Sequence, residues 1–411
     1  MAGRGTGLKL IATGLAFSVP LALGACSGSP AAKTASTAGK GQAGAKGASS
    51  VPTIAISPKV NATKVPVSAE IRATASNGIV SAVSLVSASG QQVAGAMRRD
   101  GSSWVPSKPL AFGQSYTATV TVTGTEGRTT QTSTSFVTMP KPATKPISTS
   151  FNLTSGETYG VAMPIVIDFG TSIPRTGRPA VQNRLFVTSS PAQVGAWRWV
   201  SDREVVYRSQ SYWKAGTTLA VRSALGGLPI GGRVLDKDRT ANVTIGRDME
   251  MSVTNKNHMM TVTSNGKVIK RYPISMGKRS TPSWSGQFVI MERLPATVFD
   301  TLDEGPGGYR VAVKYAERLT WSGTFLHSAP WSVYAQGHTN VSHGCVNIGP
   351  SNAKWIFQHS LVGDPVSISG TPRHVAEGNG WTAWDQSWPD FIKGSAMPVT
   401  VSVPSTYVPS F

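Results

Sequence analysis

The stretch MSVTNKNHMMTVTSNGKVIKRYPISMG, Met251 to Gly277, decides the architecture of the last third of this chain. Apolar and hydroxyl-bearing residues alternate on both sides of Asn265-Gly266. That dipeptide suits a type I′ turn, in which both central residues take positive φ and only Asn, Asp and Gly do so cheaply. The reading is a β-hairpin. Further strands are predicted in GQFVIME, RVAVKY and LTWSGTFLH, as β-branched and aromatic residues favour pleated structure. One short helix is predicted from Ser351 to His359. Pro350 stands at its start, and Trp355, Ile356 and Phe357 lie on or near its buried side.

Working outward, 411 residues exceed one ordinary domain and imply two to four units. Val51 to about Met139 reads as short strands (VPTIAI, VSAEIRATA, SYTATVTVTG, TSTSFVT) with turns at Asn77-Gly78 and Thr123 to Gly127. About ninety residues of that rhythm match an immunoglobulin-like sandwich. The proline- and lysine-rich MPKPATKP, Met139 to Pro146, forms a stiff linker. A second unit, 147–246, carries strands in VAMPIVIDF, RLFVTSS, EVVYRS and TLAVRSAL. The division expected is therefore 51–140, 147–246, a β-rich third unit over 247–370, and an extension over 371–411. In the extension, GNGWTAWDQSWPDFIKG places Trp381, Trp384 and Trp388 on one face of a predicted short helix, packed against a neighbouring unit. Neither sandwich shows a catalytic constellation, and both read as spacers or binding modules.

Residues 1–26 read as a processing signal: Arg4 and Lys9 precede an apolar run from Leu10 to Leu23 that is too short and too broken for a spanning helix. Leu23-Gly24-Ala25-Cys26 resembles a bacterial lipobox, with Cys26 the lipidated residue; the plain alternative is an ordinary signal peptide with an incidental cysteine. Residues 27–50 lack any aromatic or large aliphatic side chain and form a flexible tether. The net charge of +19 is diffuse, with +6 over 51–146, +5 over 147–246 and +4 over 247–370. No basic run with interleaved aromatics appears, which excludes nucleic acid as the expected partner. A diffuse basic surface suits an anionic cell wall, or simply solubility.

The chain has two cysteines. With Cys26 consumed by lipid, Cys345 stands alone in HTNVSHGCVNIG, His338 to Gly349, with no disulfide partner. A nucleophilic cysteine needs a base or cationic neighbour, and three of the six histidines, His327, His338 and His343, fall in the nineteen residues before it. Gly344 admits substrate close to the backbone, and amide N–H groups there suit an oxyanion. Two other readings compete. A zinc site could draw on His338, His343 and Cys345, with His327, but these spacings match none of the common sites. A buried, inert thiol is common, although Ser342, His343, Gly344 and Asn347 do not look like an apolar core strand.

TWSGTFLHSAPWSVYAQGHTNVSHGCVNIGPSNAKWIF, Thr320 to Phe357, resembles the active-site segment of L,D-transpeptidases of the actinobacterial lipoprotein type. The resemblance extends to the plan of lipobox, tether, two immunoglobulin-like domains, catalytic domain and Trp-rich extension, and to YWKAGT, Tyr212 to Thr217. It implies a mainly β protein of two immunoglobulin-like sandwiches followed by a β-rich catalytic domain with a short helix, acting on peptidoglycan stem peptides by acyl transfer without a cofactor. By position it implies Cys345 as nucleophile and His327 as base, the latter oriented by the Ser328 carbonyl. His343 becomes a supporting residue, and the Gly344 and Cys345 N–H groups the oxyanion hole beside Tyr309. Ser322, Gly323, Trp331 and Asn347 line the substrate site. It further implies 3→3 cross-links between diaminopimelate residues, release of D-Ala, acylation by carbapenems, and a place outside the cell membrane, held there by lipid. Between Arg293 and Tyr309 the sequence departs from the family's lid and is shorter, with Phe299 a candidate lid residue. Two rivals stay open: an L,D-carboxypeptidase or cysteine peptidase using the same residues with water as acceptor, and a non-catalytic wall-binding lipoprotein.

Overall fold

The computed structural model describes residues 52–302 and 308–399. The proposed signal segment, Cys26 and the tether to Ser50 lie outside the described residues. The first unit alternates strictly. In Ser115–Gly124, Tyr116, Ala118, Val120 and Val122 point inward and the intervening threonines outward. This strand is paired on one side with Gly78–Ser87 and on the other with Thr129–Thr138, whose far edge takes Ala62–Val65 in parallel. Thr53–Ser57 with Arg72–Ser76, and Gly95–Met97 with Trp104–Pro106, form separate pairs around the same core of Ile71, Leu85, Trp104 and Phe136.

In the second unit two four-stranded sheets face each other. One runs Thr158–Tyr159, Arg239–Ile245, Thr218–Ser223, Leu185–Ser190; the other runs Gly195–Trp199, Glu204–Ser209, Ile165–Phe169, Thr149–Phe151. Trp213 of YWKAGT is buried between them, its indole N–H donating to the Met163 carbonyl at 2.9 Å. Glu70 of the first unit takes Arg98 at 2.6 Å and Arg184 of the second at 3.4 Å.

The third unit is built on a ten-stranded curled sheet. In order across it stand Glu292–Asp300, Arg310–Arg318, Phe325–Ser328, Val346–Ile348, Lys267–Ser275, Met259–Ser264, Met249–Thr254, Pro365–Ser369, Trp284–Val289 and Arg373–His374. The Asn265-Gly266 hairpin is present, with φ of +49° and +72° at the two positions. The helix runs Pro350–His359 and buries Ala353 and Ile356. A proline, Pro295, sits in the edge strand, where its missing N–H costs no ladder bond. It and Tyr315, at φ +55°, make no pair in a register that otherwise runs unshifted from Glu292 to Asp300.

The second and third units meet through backbone. Gly160 N–H donates to Val362 O at 2.8 Å and Ala162 N–H to Gly363 O at 2.9 Å. A side chain at Gly160 would place its Cβ 2.2 Å from the Asp364 nitrogen. The extension completes the join, but not as one helix. Trp381 precedes a 3-10 turn at Ala383–Asp385, and Trp388 starts a separate helix, Trp388–Ile392. The Ser387 hydroxyl caps that helix by accepting the Asp390 N–H, and Pro389 lacks the N–H an uninterrupted helix would need. The helical spacing of the three tryptophans is thus overridden by the break at Ser387-Trp388-Pro389. Trp381 is buried and Trp384 and Trp388 are half-buried: Arg208 stands over the rings of Trp384, Phe391 and Trp388 at 4.5, 4.6 and 5.2 Å, and the Trp384 indole donates to Ala162 O at 2.7 Å.

Phe391 is fully enclosed in the core shared by the second unit and the extension. Phe391→Ala is expected to destabilise the protein by about 3–5 kcal/mol, read as a lowered urea midpoint at unchanged slope.

Candidate active site

Strand Phe325–Ser328 lies parallel to Val346–Ile348, pairing Leu326 with Val346, His327 with Asn347 and Ser328 with Ile348. Both strands are buried throughout, which suits their apolar members but forces each polar one to find a partner. The pairing places Cys345, one residue before its strand, opposite Phe325, with His327 two residues further along the same strand.

His327 is 3% exposed. Its Nδ1 lies 3.0 Å from the Ser328 carbonyl oxygen. A carbonyl only accepts, so Nδ1 carries the proton and Nε2 is left with its lone pair. The Asn347 side chain lies within hydrogen-bonding reach of the same ring, and Asn347 Nδ2–H donates to Ser332 Oγ at 3.0 Å. The Ser332 hydroxyl in turn donates to Ala329 O at 3.2 Å. Ser332 stood out by nothing in the sequence, because a serine inside WSVYA has no local signature of what it will meet. The ring faces Phe299 edge-on at 5.1 Å and Trp331 at 6.0 Å.

Cys345 is buried in a small apolar cluster with Val313, Ala316 and Phe325, closed by Leu294, Phe299 and Val311. All of these except Phe325 come from the edge hairpin, which therefore covers the thiol. Its foot is anchored by buried Glu317, which accepts the Ser360 hydroxyl and faces Arg293 at 3.8 Å. Toward the open side the Cys345 thiol donates to the Gly323 carbonyl at 3.5 Å.

The approach to Cys345 is tightly wound. Gly344 takes φ of +129°, a conformation costly for any other residue, with nothing within 4 Å of where a Cβ would stand. Its carbonyl accepts from Ser283 Oγ at 2.8 Å. Its N–H donates to Ser342 Oγ at 3.1 Å, while the Ser342 hydroxyl donates to the Cys345 carbonyl at 2.6 Å. The Gly344 amide is thus engaged inside the loop. His343 is exposed, its Nε2 3.0 Å from Lys278 Nζ and its ring 4.8 Å from that of Tyr309. Ser322 and Gly323 form an exposed turn beside the thiol. His338 is exposed, and no three His, Cys, Asp or Glu side chains group to hold a metal among the described residues.

Burial sets the charge state. It pushes the Cys345 thiol up to about 11, against a weaker pull from the Phe325 backbone. It pushes His327 down to about 4, against the bonds to Ser328 and Asn347. At neutral pH the covered pair is thiol and imidazole, not thiolate and imidazolium.

His327 also predicts a pH dependence of stability. Between its ordinary value of 6.5 and about 4, the unfolded chain holds the proton and the folded one does not. Its contribution is complete above pH 6.5 and is lost as pH falls toward 4. The stability difference between the native protein and His327→Gln is expected to shrink by roughly 3 kcal/mol from pH 7 to pH 4, measured by urea unfolding at each pH.

The chain matches a bacterial immunoglobulin domain over residues 62–229 and the L,D-transpeptidase catalytic domain over residues 251–368. It is 35% identical to L,D-transpeptidase 2 of Mycobacterium tuberculosis over 353 residues, spanning 84% of this chain and 85% of that one. It is 30% identical to L,D-transpeptidase 5 of the same organism, spanning 83% and 75%. A solved L,D-transpeptidase in complex with imipenem is 32% identical, covering 55% of this chain and 100% of that one at a TM-score of 0.48. With a relative this similar along most of both chains, and the catalytic-domain match falling on the sheet that holds His327 and Cys345, the protein belongs to the L,D-transpeptidase family of cysteine acyltransferases.

Proposed function

We propose that this protein closes 3→3 cross-links between diaminopimelate residues of peptidoglycan stem peptides, through a thioester on Cys345. The observation that carries the reading is the tautomer of His327: its Nδ1–H is held by the Ser328 carbonyl, on a strand paired with the one that follows Cys345. That leaves a neutral imidazole with an unprotonated Nε2 as base.

In the first half-reaction Cys345 Sγ attacks the carbonyl carbon between diaminopimelate and the terminal D-Ala of a tetrapeptide donor, and the thiol proton passes to His327. The tetrahedral oxyanion is held by backbone N–H, chiefly that of Cys345, since the Gly344 amide is already taken by Ser342. The C–N bond breaks, His327 returns the proton to the amine, and D-Ala leaves. In the second half-reaction the side-chain amine of another stem attacks the thioester, its proton returns through His327, and the Cys345 thiol is restored. Burial disfavours both thiolate and imidazolium at rest, so proton transfer accompanies carbon–sulfur bond formation.

Tyr309, Ser322, Gly323, Trp331 and Asn347 line or support the substrate site, His343 supports the loop from outside, and the edge hairpin carrying Phe299 acts as the lid. β-Lactams of the carbapenem class acylate the same sulfur. The chain is lipidated at Cys26 and works outside the cell membrane. The tether and the two sandwiches carry the catalytic domain into an anionic wall that its net charge of +19 favours.

Two measurements test this. Intact mass after incubation with imipenem is expected to rise by one adduct in the native protein and not in Cys345→Ala; a folded protein that takes no adduct refutes the assignment. With stem tetrapeptide, a cross-linked dimer is the expected product, and a tripeptide alone would make the protein a carboxypeptidase.

A further inference from the structure

The segment 377–383 takes no part in the chemistry above, yet it touches three places that matter to it. Glu377 accepts from Arg198 of the second sandwich at 2.7 and 3.2 Å. The Trp381 N–H lies 3.2 Å from Met291 Sδ, at the foot of the hairpin that covers Cys345. Between them, Asn379 reaches the turn 320–324. Its Oδ1 accepts the Ser322 N–H at 3.0 Å, and its Nδ2–H donates to Ser322 Oγ at 2.9 Å. The approach of the two segments is close enough that a Cβ on Gly380, at φ +108°, would stand 2.7 Å from the Leu319 oxygen.

That turn determines where the Gly323 carbonyl points. Gly323 has φ of +91°, nothing within 4 Å of where a Cβ would stand, and an N–H that donates to the Thr320 carbonyl at 3.3 Å. Its orientation is set by its neighbours. On one side Ser322 is held at backbone and side chain by Asn379. On the other, the Thr324 N–H is held by Thr320 Oγ1 at 2.9 Å, and Thr320 Oγ1 lies 3.2 Å from Ser322 Oγ. The Gly323 carbonyl, between these two fixed points, receives the Cys345 thiol.

We infer that Asn379 is a positioning residue for Cys345: by holding both polar groups of Ser322 it fixes the Gly323 carbonyl that orients the thiol. The inference deepens the proposed acyl-transfer reading and rests on it for its catalytic meaning. It also assigns the extension a task beyond packing. One segment ties the sandwich (Glu377), the active-site turn (Asn379) and the foot of the lid (Trp381) together.

The test uses the full chain with Asn379→Ala and Asn379→Asp. Aspartate keeps an acceptor for the Ser322 N–H and can accept the Ser322 hydroxyl in place of donating to it. Three quantities are compared: the rate of Cys345 alkylation by iodoacetamide as a function of pH, the rate of acylation by imipenem, and the melting temperature. Asn379→Ala is expected to slow acylation by roughly ten- to a hundredfold, the scale of misplacing a reacting group. It should also move the midpoint of the alkylation profile by on the order of half a pH unit, as the thiol loses its carbonyl partner. Asn379→Asp should recover most of both. A profile and rate in Asn379→Ala within about twofold of the native protein overturns the inference, as does an Asn379→Asp variant as impaired as the alanine. If Asn379→Ala fails to fold, Ser322→Ala, which removes one of the two bonds, carries the same comparison: a shifted midpoint supports the inference and an unshifted one overturns it. A native protein that resists imipenem while Asn379→Ala still shifts the alkylation midpoint refutes the acyl-transfer reading and leaves the positioning role standing.

Discussion

The parallel pairing of Phe325–Ser328 with Val346–Ile348 is the constraint on which the rest of the active site depends. Its side chains have a period of two, so a slip of one residue would send His327 to the opposite face of the sheet and leave Leu326 where the imidazole stands. Nothing in the apolar content of either strand forbids that slip. The polar groups do: His327 finds the Asn347 amide across the pairing, and Asn347 finds Ser332, only in the observed register. Each such bond contributes about 1 kcal/mol when made, and each buried group left without one costs about 1–3 kcal/mol. The buried polar residues therefore act less as a source of stability than as a lock on alignment.

Around that lock, desolvation outweighs charge attraction. A nucleophilic cysteine beside a histidine is often pictured as an ion pair, but here the edge hairpin of Leu294, Phe299, Val311 and Val313 excludes water from both groups. Neither proton state that carries charge is favoured in such surroundings. The edge hairpin lies over the thiol while its foot stays fixed by Glu317, Ser360 and Arg293. Cover and catalytic strand belong to one continuous sheet. Displacing the first can change the electrostatics of the second without moving His327 and Cys345 themselves.

How much of this was legible in the sequence follows from how local each cause is. Asn265-Gly266 announced its turn because the requirement for positive φ is met or failed by two adjacent residues. The helix from Pro350 was legible from its start for a similar reason. Cys345 stood out because thiols are rare in a chain with two cysteines, whereas His327 was set apart from His338 and His343 only by the resemblance carried by its segment. The tail misled, because tryptophans three and four residues apart satisfy a helical period while Ser387 and Pro389 restart the backbone. The partnership of Asn379 with Ser322, 57 residues away, had no local trace at all. Nor did the engagement of the Gly344 amide by Ser342, which depends on how tightly the loop is wound.

The covered thiol has a consequence for chemical survival. Peroxides attack thiolate far faster than thiol, and the first product, a sulfenic acid, goes on to forms that are not readily reversed. Among the described residues there is no second cysteine to rescue Cys345 by forming a disulfide. A site that held its sulfur ionised at rest would be poised for reaction, and equally for irreversible oxidation. By keeping Cys345 protonated and beneath Phe299 until something displaces the hairpin, the fold gives up readiness in exchange for a nucleophile that lasts.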